Sequence, residues 1–374
     1  MLLEGIFRRN GTTGFKGYEP LINRTLMSFS FNFVSSAGNA SLPTHTDSPE
    51  ALGVIANKQA EKNNPSFEWF QSEMPRFSRQ DFLENEKPTS ETISLLHGRQ
   101  KEYNAVTGDS PNNYILRVRE ESSSFQNPNT DLVPGVYEGG LKVWECSIDL
   151  CRYFLREDVA IKGHVLELGC GHGLPGIFIL KQAIAKSRDK AVDCFVTFSD
   201  YNKFVIRDVT IPNVAINIRD SCLVKLNSIN GRNQICSLLY DNVAFGAGDW
   251  LAMSDILLRK TKTSASVEQP TPPAVPTSGL FDYILASETT YSEHSATETA
   301  ELLSRHLKPG VGVAYISTKR YYFGVGGGSK CLCDSLNKHK THKFHIRTLE
   351  VHDDGAGNIR EVFLVKSLVS ERHS

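Results

Sequence analysis

One stretch limits the fold more than any other: VLELGCGHGLPG, Val165 to Gly176. An apolar segment, His164 to Leu168, runs straight into closely spaced glycines. A segment of helical length, Leu174 to Lys186, follows with Pro175 in its first turn, where proline is tolerated. A strand, a glycine turn and a helix in that order form the ligand-binding unit of α/β sheets. The glycines let backbone N–H groups and a helix N-terminus come close to a ligand. Gly171-x-Gly173-x-x-Gly176 also spells the dinucleotide pattern. A turn of this kind fits a pyrophosphate or the carboxylate end of S-adenosylmethionine.

The rest of the C-terminal two-thirds alternates in the same way. A second strand is predicted over Asp193 to Ser199, ending at Asp200. A helix is predicted over Asn202 to Arg219, kinked or split at Pro212. A third strand falls within Cys236 to Phe245 and a fourth over Phe281 to Ser287. A helix over Ala296 to Leu307 would be capped by Ser295 and stopped by Lys308-Pro309-Gly310, and a fifth strand follows over Val311 to Thr318. Two last strands, Lys343 to Val351 and Ile359 to Val369, flank a turn-rich link and close the chain as a hairpin. The pattern predicts a doubly wound α/β sheet over residues 131–374. The Pro/Thr/Ser-rich segment Thr261 to Gly279 breaks the alternation and reads as a flexible, disordered insertion. Residues 1–130 carry little pattern and read as largely disordered or loosely structured, with one helix near Glu91 to Tyr103. Met1 to Leu26 is mildly basic and reads as an unstructured leader, with Met27 as an alternative start.

Composition narrows the partners. Lys+Arg number 41 against 42 Asp+Glu, a net charge of -1, so no broad basic surface exists for gripping nucleic acid. No apolar run approaches the roughly 20 residues of a membrane span. The 8 cysteines are scattered, mostly in apolar runs, and read as reduced thiols. Only Cys331 and Cys333 lie close together, at a spacing too short for a zinc knuckle, so no metal site is expected.

Strand ends supply the candidate ligand contacts. Glu167, Gly169, Gly171 and Gly173 belong to the first turn, in the E-x-G-x-G-x-G form typical of methyltransferase loops. Asp200 ends the second strand, where an acid accepts bonds from ribose hydroxyls, and Tyr201 can lie against an adenine edge. Asp200 is equally placed to cap the next helix. Gly248-Asp249-Trp250 follows the third strand and offers a flat aromatic face. Ser287 and Glu288 leave the fourth strand.

Several motifs together resemble a known family. VYEGGLKVWEC (Val136 to Cys146), the glycine loop, Ser199-Asp-Tyr-Asn202, Ser287-Glu-Thr-Thr-Tyr291 and YFGVGGG (Tyr322 to Gly328) are similar to the protein-histidine N-methyltransferases, a branch of the family-16 methyltransferase-like proteins. The resemblance implies a Rossmann-like seven-stranded sheet with a C-terminal antiparallel hairpin. It places S-adenosylmethionine on Val143, Trp144, Glu145, Cys146, Ser147, Gly169, Ser199, Asp200, Tyr201, Gly248, Asp249, Trp250 and Ser287. Glu288 and Tyr291 fit an acid-x-x-aromatic pattern and are the catalytic candidates. Tyr322, Phe323, Gly326 and Gly327 are expected at the substrate mouth. The implied partner is a protein, a histidine of large-subunit ribosomal protein L-three, met by a monomer in the cytoplasm, nucleus and nucleolus.

The chemistry is undemanding. A neutral imidazole, with pKa about 6.5, attacks without prior loss of a proton. Lysine, the acceptor for other members of the same group, must first shed one at about 10.4. A binding module without turnover and a nicotinamide-dependent oxidoreductase are the readings from other classes.

Overall fold

A computed structural model describes residues 66–70, 100–104, 115–119, 139–187, 191–225, 241–259, 271–339, 342–355 and 357–368. The leader, Met27 and the N-terminal half of the helix expected near Glu91 to Tyr103 lie outside these residues. The strands are β1 (Phe67–Trp69), β2 (Gln100–Asn104), β3 (Ile115–Arg119), β4 (Gly163–Leu168), β5 (Cys194–Asp200), β6 (Val243–Gly248), β7 (Tyr283–Ser287), β8 (Val313–Lys319), β9 (Phe344–Asp353) and β10 (Ile359–Ser367). The helices used below are α1 (Glu145–Arg156), α2 (Leu174–Lys186), α3 (Ile211–Lys225), α4 (Trp250–Arg259), α5 (Glu293–His306) and α6 (Ser329–Lys338).

The main sheet runs β1-β6-β5-β4-β7-β8-β10-β9. The five strands β6, β5, β4, β7 and β8 are parallel to their neighbours. β10 is inserted antiparallel between β8 and β9. This is the expected seven-stranded sheet with its terminal hairpin, plus an eighth strand at the far edge.

Period-2 alternation divides the core into two layers. Val165, Val196, Phe198, Val243, Phe245 and Leu285 face Leu150 and Phe154 of α1, Phe178 of α2 and Val214 of α3. Leu166, Leu168, Ala244, Ile284 and Ile316 face Met253 of α4, Leu303 of α5 and Leu332 of α6. Each large side chain so buried contributes about 1.5–3 kcal/mol. Because both faces are covered, the polar groups that carry chemistry are confined to the strand ends.

Four departures from the sequence reading have physical causes. Phe67–Trp69 pairs antiparallel with β6, and both rings are buried. Gly246 makes room for them: a methyl added there would fall 2.2 Å from Phe67 Cζ. So a segment upstream of residue 131 completes the sheet, although three residues are too few to show a period. Gln100–Asn104, taken as the end of a helix, pairs with Ile115–Arg119 as a two-stranded ribbon. The Pro-rich insertion is packed from residue 271 onwards: Ala274 and Val275 are buried, and the Ala274 carbonyl lies 2.9 Å from His164 Nδ1. Proline fixes the backbone and so suits a packed turn as well as a mobile one. Finally, Ser292, not Ser295, caps α5. Ser295 sits at the third helical position and reciprocates, closing a capping box.

Candidate active site

A cavity of about 420 Å³ opens at the C-terminal ends of the parallel strands, where open α/β sheets bind ligands. It falls within the size range of small-molecule pockets, about 300–1,000 Å³. Its floor is the glycine turn. Gly169 and Gly171 line it, and Gly173 sits one step back in the left-handed region, φ 73°, as the N-cap of α2. Glu167 also lines the cavity; largely buried, it accepts the Gly176 N–H at 2.9 Å, joining strand to helix. A π turn at Ile206–Thr210, the observed form of the break expected near Pro212, brings Thr210 to the same loop. Its hydroxyl donates to the Gly171 carbonyl at 2.6 Å.

Burial raises the Glu167 carboxyl to about 8, with Asp200 nearby adding to the rise and the Gly176 N–H opposing it. The native state therefore binds a proton here that the unfolded chain releases near the ordinary carboxylate value. Stability falls as pH rises between the two. Glu167→Gln, neutral at every pH, should match the wild type in chemical denaturation below about pH 4.5. It should gain progressively towards pH 8, at up to about 1.4 kcal/mol per unit. A pH-independent difference between the two proteins would refute the assignment.

Asp200 ends β5 as expected and lines the cavity. Its Oδ2 accepts the Gly171 N–H at 3.0 Å, and its Oδ1 accepts the Asn202 backbone N–H at 2.9 Å. The carboxylate therefore holds the glycine turn in place at the cavity wall. Tyr201 lines the cavity beside it. Ser199 does not: it lies behind the wall, its hydroxyl 3.2 Å from Met253 Sδ and its carbonyl accepting the Cys170 N–H.

After β6, Asp249 and Trp250 line the cavity and Gly248 does not. A side chain at Gly248 would run into Ser66 O. The Asp249 N–H donates to that same carbonyl at 3.2 Å, so β1 fixes the loop that carries Trp250. Asp249 also caps α4 by accepting the Ala252 N–H at 2.8 Å.

The described part of the VYEGGLKVWEC stretch, residues 139–146, borders the cavity. Val143, Trp144 and Ser147 line the cavity; Cys146 is fully buried beneath it, its thiol pushed up chiefly by burial and secondarily by Glu288. Asn202 Nδ2 anchors the segment on the Gly139 carbonyl at 3.0 Å. Arg360 of β10 holds Asp149 at 2.5 Å, fixing α1, a helix the sequence reading missed although Cys146, Leu150 and Phe154 repeat every fourth residue on its buried face.

The remaining candidates converge on Glu288. Ser287, Glu288 and Tyr291 line the cavity. Glu288 has φ 58°, a left-handed conformation uncommon outside glycine and one that clusters at functional sites. Tyr322 is buried, and its hydroxyl donates to Glu288 Oε2 at 2.5 Å. Burial first, then the Glu288 charge, pushes that phenol well above its usual value, so it stays a donor. Phe323, by contrast, is 77% exposed. Gly326 and Gly327 serve close approach within the chain: Gly326 bridges Ser292, and a methyl on Gly327 would meet the Thr290 carbonyl at 2.3 Å.

Sequence reasoning missed three groups at the site. Lys142 lies 4.4 Å from the centre of the Trp144 ring. His172 lines the cavity as a neutral imidazole, lowered by burial to about 4. Lys319, the last residue of β8, is nine-tenths buried, 3.6 Å from Glu288 and 3.7 Å from Glu145 Oε2. Glu145 is thus part of a charge cluster beside the cavity. A lysine as the one charged residue of a parallel strand was the available signal.

The cavity fits S-adenosylmethionine on its own terms. The Trp250 indole N–H and the Ser287 hydroxyl are buried in its wall without hydrogen-bond partners among the described residues. Such groups are costly unless a ligand meets them. The α2 N-terminus and its glycine turn suit a carboxylate. Strand order and site define a class I S-adenosylmethionine-dependent methyltransferase.

Comparison with known proteins gives the branch. A family model described as "Lysine methyltransferase" matches residues 134–256. A histidine protein methyltransferase 1 homolog of Dictyostelium discoideum is 37% identical over 242 residues, covering 64% of this chain and 62% of that one. The Mus musculus protein of the same name is 32% identical over 335 residues, covering 86% of this chain and 82% of that one. The chain belongs to the histidine protein methyltransferase 1 family. Among solved structures, a TehB-like SAM-dependent methyltransferase from Corynebacterium glutamicum aligns over 60% of this chain and 89% of that one, at 11% identity and a TM-score of 0.32.

Proposed function

We propose that the chain methylates a histidine of large-subunit ribosomal protein L-three, acting as a monomer in the cytoplasm and nucleus, the nucleolus included. The observation that carries the reading is the Glu288 carboxylate at the cavity. Tyr322 holds one of its oxygens, and the other, Oε1, faces the Lys319 ammonium at 3.6 Å and makes no hydrogen bond among the described residues. S-adenosylmethionine supplies an electrophilic methyl on a positively charged sulfur. The chain must then fix the imidazole tautomer, aim its lone pair and keep water out. Glu288 Oε1 is placed to accept the N–H of the imidazole nitrogen that does not react. This leaves the other nitrogen's lone pair free, and no strong base is required. The exposed Tyr321 and Phe323, on the loop that follows β8, offer apolar surface for the surrounding protein.

The test is transfer of labelled methyl groups to ribosomal proteins from cells lacking the enzyme, followed by hydrolysis to amino acids. Methyl-histidine in the large-subunit fraction is expected, with the rate falling below about pH 6.5 as the acceptor ring gains a proton. Methyl-histidine only in non-ribosomal proteins would overturn the substrate, and methyl-lysine alone would overturn the acceptor.

A further inference from the structure

Lys319 is nine-tenths buried, lies between two carboxylates and is not among the residues lining the cavity. Its ammonium sits among four groups from three separate parts of the chain. Glu145 belongs to the first turn of α1, Glu288 to the mouth of β7, and Trp144 and Tyr322 to the flanking loops. The charge pairs are 3.7 and 3.6 Å, and the ring centres are 5.3 and 5.7 Å away.

These groups are what a site for a cationic acceptor would offer: carboxylates for the charge and aromatic faces for its alkyl and ammonium parts. Here the protein's own lysine occupies both. Lys142 lies on the same Trp144 ring. A substrate ammonium entering beside Glu288 would meet a carboxylate already neutralised and a like charge a few ångströms away. In a water-poor site that repulsion is poorly screened. A neutral imidazole brings no charge and needs only one acceptor; Glu288 Oε1, which faces Lys319 at 3.6 Å but makes no hydrogen bond among the described residues, provides it.

We propose that Lys319 sets the acceptor specificity of the site: its ammonium, placed between Glu145 and Glu288 and beside Trp144 and Tyr322, admits a neutral imidazole and turns away the ammonium of lysine. Lys319 is a positioning residue, acting through Glu288. The inference rests on the reading that methyl transfer takes place beside Glu288. It extends that reading from which acceptor is used to why the alternative is refused.

The experiment compares the full chain with Lys319→Met and Lys319→Arg. Labelled S-adenosylmethionine is the donor, and the acceptor is total protein from cells lacking the enzyme, split into ribosomal and non-ribosomal fractions. Circular dichroism and calorimetric affinity for S-adenosylhomocysteine report folding and the cofactor pocket. Lys319→Met should fold and bind S-adenosylhomocysteine within a few-fold of the wild type. It should lower kcat for methyl-histidine formation tenfold or more and raise the ratio of methyl-lysine to methyl-histidine at least tenfold. Lys319→Arg, which keeps the charge, should restore a ratio near that of the wild type. A folded Lys319→Met protein with an unchanged ratio overturns the proposal, as does a Lys319→Arg protein as unselective as Lys319→Met. The fraction in which methyl-histidine appears reports the substrate separately, because the product ratio is read in either fraction.

Discussion

Replacing Asp200 with alanine is expected to weaken S-adenosylhomocysteine binding by about 1–3 kcal/mol, the value of charge-assisted hydrogen bonds lost from a buried site. At about 1.4 kcal/mol per decade this is roughly a ten- to hundredfold loss of affinity. Two effects run the same way. The carboxylate is lost as a partner for the ribose hydroxyls, and the Gly171 N–H, held at 3.0 Å, loses its acceptor. The turn that forms the pocket floor is then less well organised before the ligand arrives. Asp200→Asn keeps one acceptor oxygen for Gly171 and should lose less. Calorimetry on the folded variants is decisive: wild-type affinity in Asp200→Ala would mean that the carboxylate serves the turn alone.

The second large effect is expected in the chemical step. Glu288→Gln should lower kcat by about 10²-fold or more, within the range for positioned acid–base groups. Affinity for S-adenosylhomocysteine should stay near that of the wild type. Glutamine is the informative choice, because it keeps the size of a side chain whose backbone sits at φ 58°. It removes the charge that holds Lys319, 3.6 Å away, and that receives the Tyr322 hydroxyl. The split between an intact cofactor site and a lost rate separates a role at the acceptor from a general collapse of the pocket. A folded variant with kcat within twofold of the wild type would remove Glu288 from the mechanism.

Local signals in the sequence were strong where one contiguous stretch carries the function. The glycine turn, Asp200 at a strand end, and the order of strands and helices through the C-terminal hairpin are all of this kind, since each depends on residues within one turn or one strand. Other features arise only when distant segments meet. Lys319 is an unremarkable last residue of a strand until α1 brings Glu145 to it and β7 brings Glu288. Gly248, read as a cofactor contact, instead makes room for the backbone at Ser66, far away in sequence. Gly326 and Gly327 were expected at the substrate mouth; Gly327 is used to approach the Thr290 to Ser292 backbone of the same chain. Composition misled in two places. A Pro-rich segment was read as flexible although Ala274 and Val275 within it are buried, and a polar N-terminal region hid a three-residue strand whose two rings help to fill the core.

That short strand determines how the sheet ends. Without β1, β6 would be the outermost strand, with a row of bare N–H and C=O groups beside an almost entirely apolar face. Such an edge is a template for strand addition between molecules, which leads to aggregation. β1 closes it with one antiparallel pairing, reinforced by the ion pair from Glu68 to Lys203 at 2.9 Å. The strand is made early during synthesis, while its partner appears about 170 residues later, after β4 and β5 and before β7 and β8. When the β6 edge emerges from the ribosome, the strand that covers it is therefore already waiting on the same chain. A chain cut at residue 131 would leave the β6 edge bare permanently, so protection against self-association is encoded in a short segment far upstream of the strand it covers.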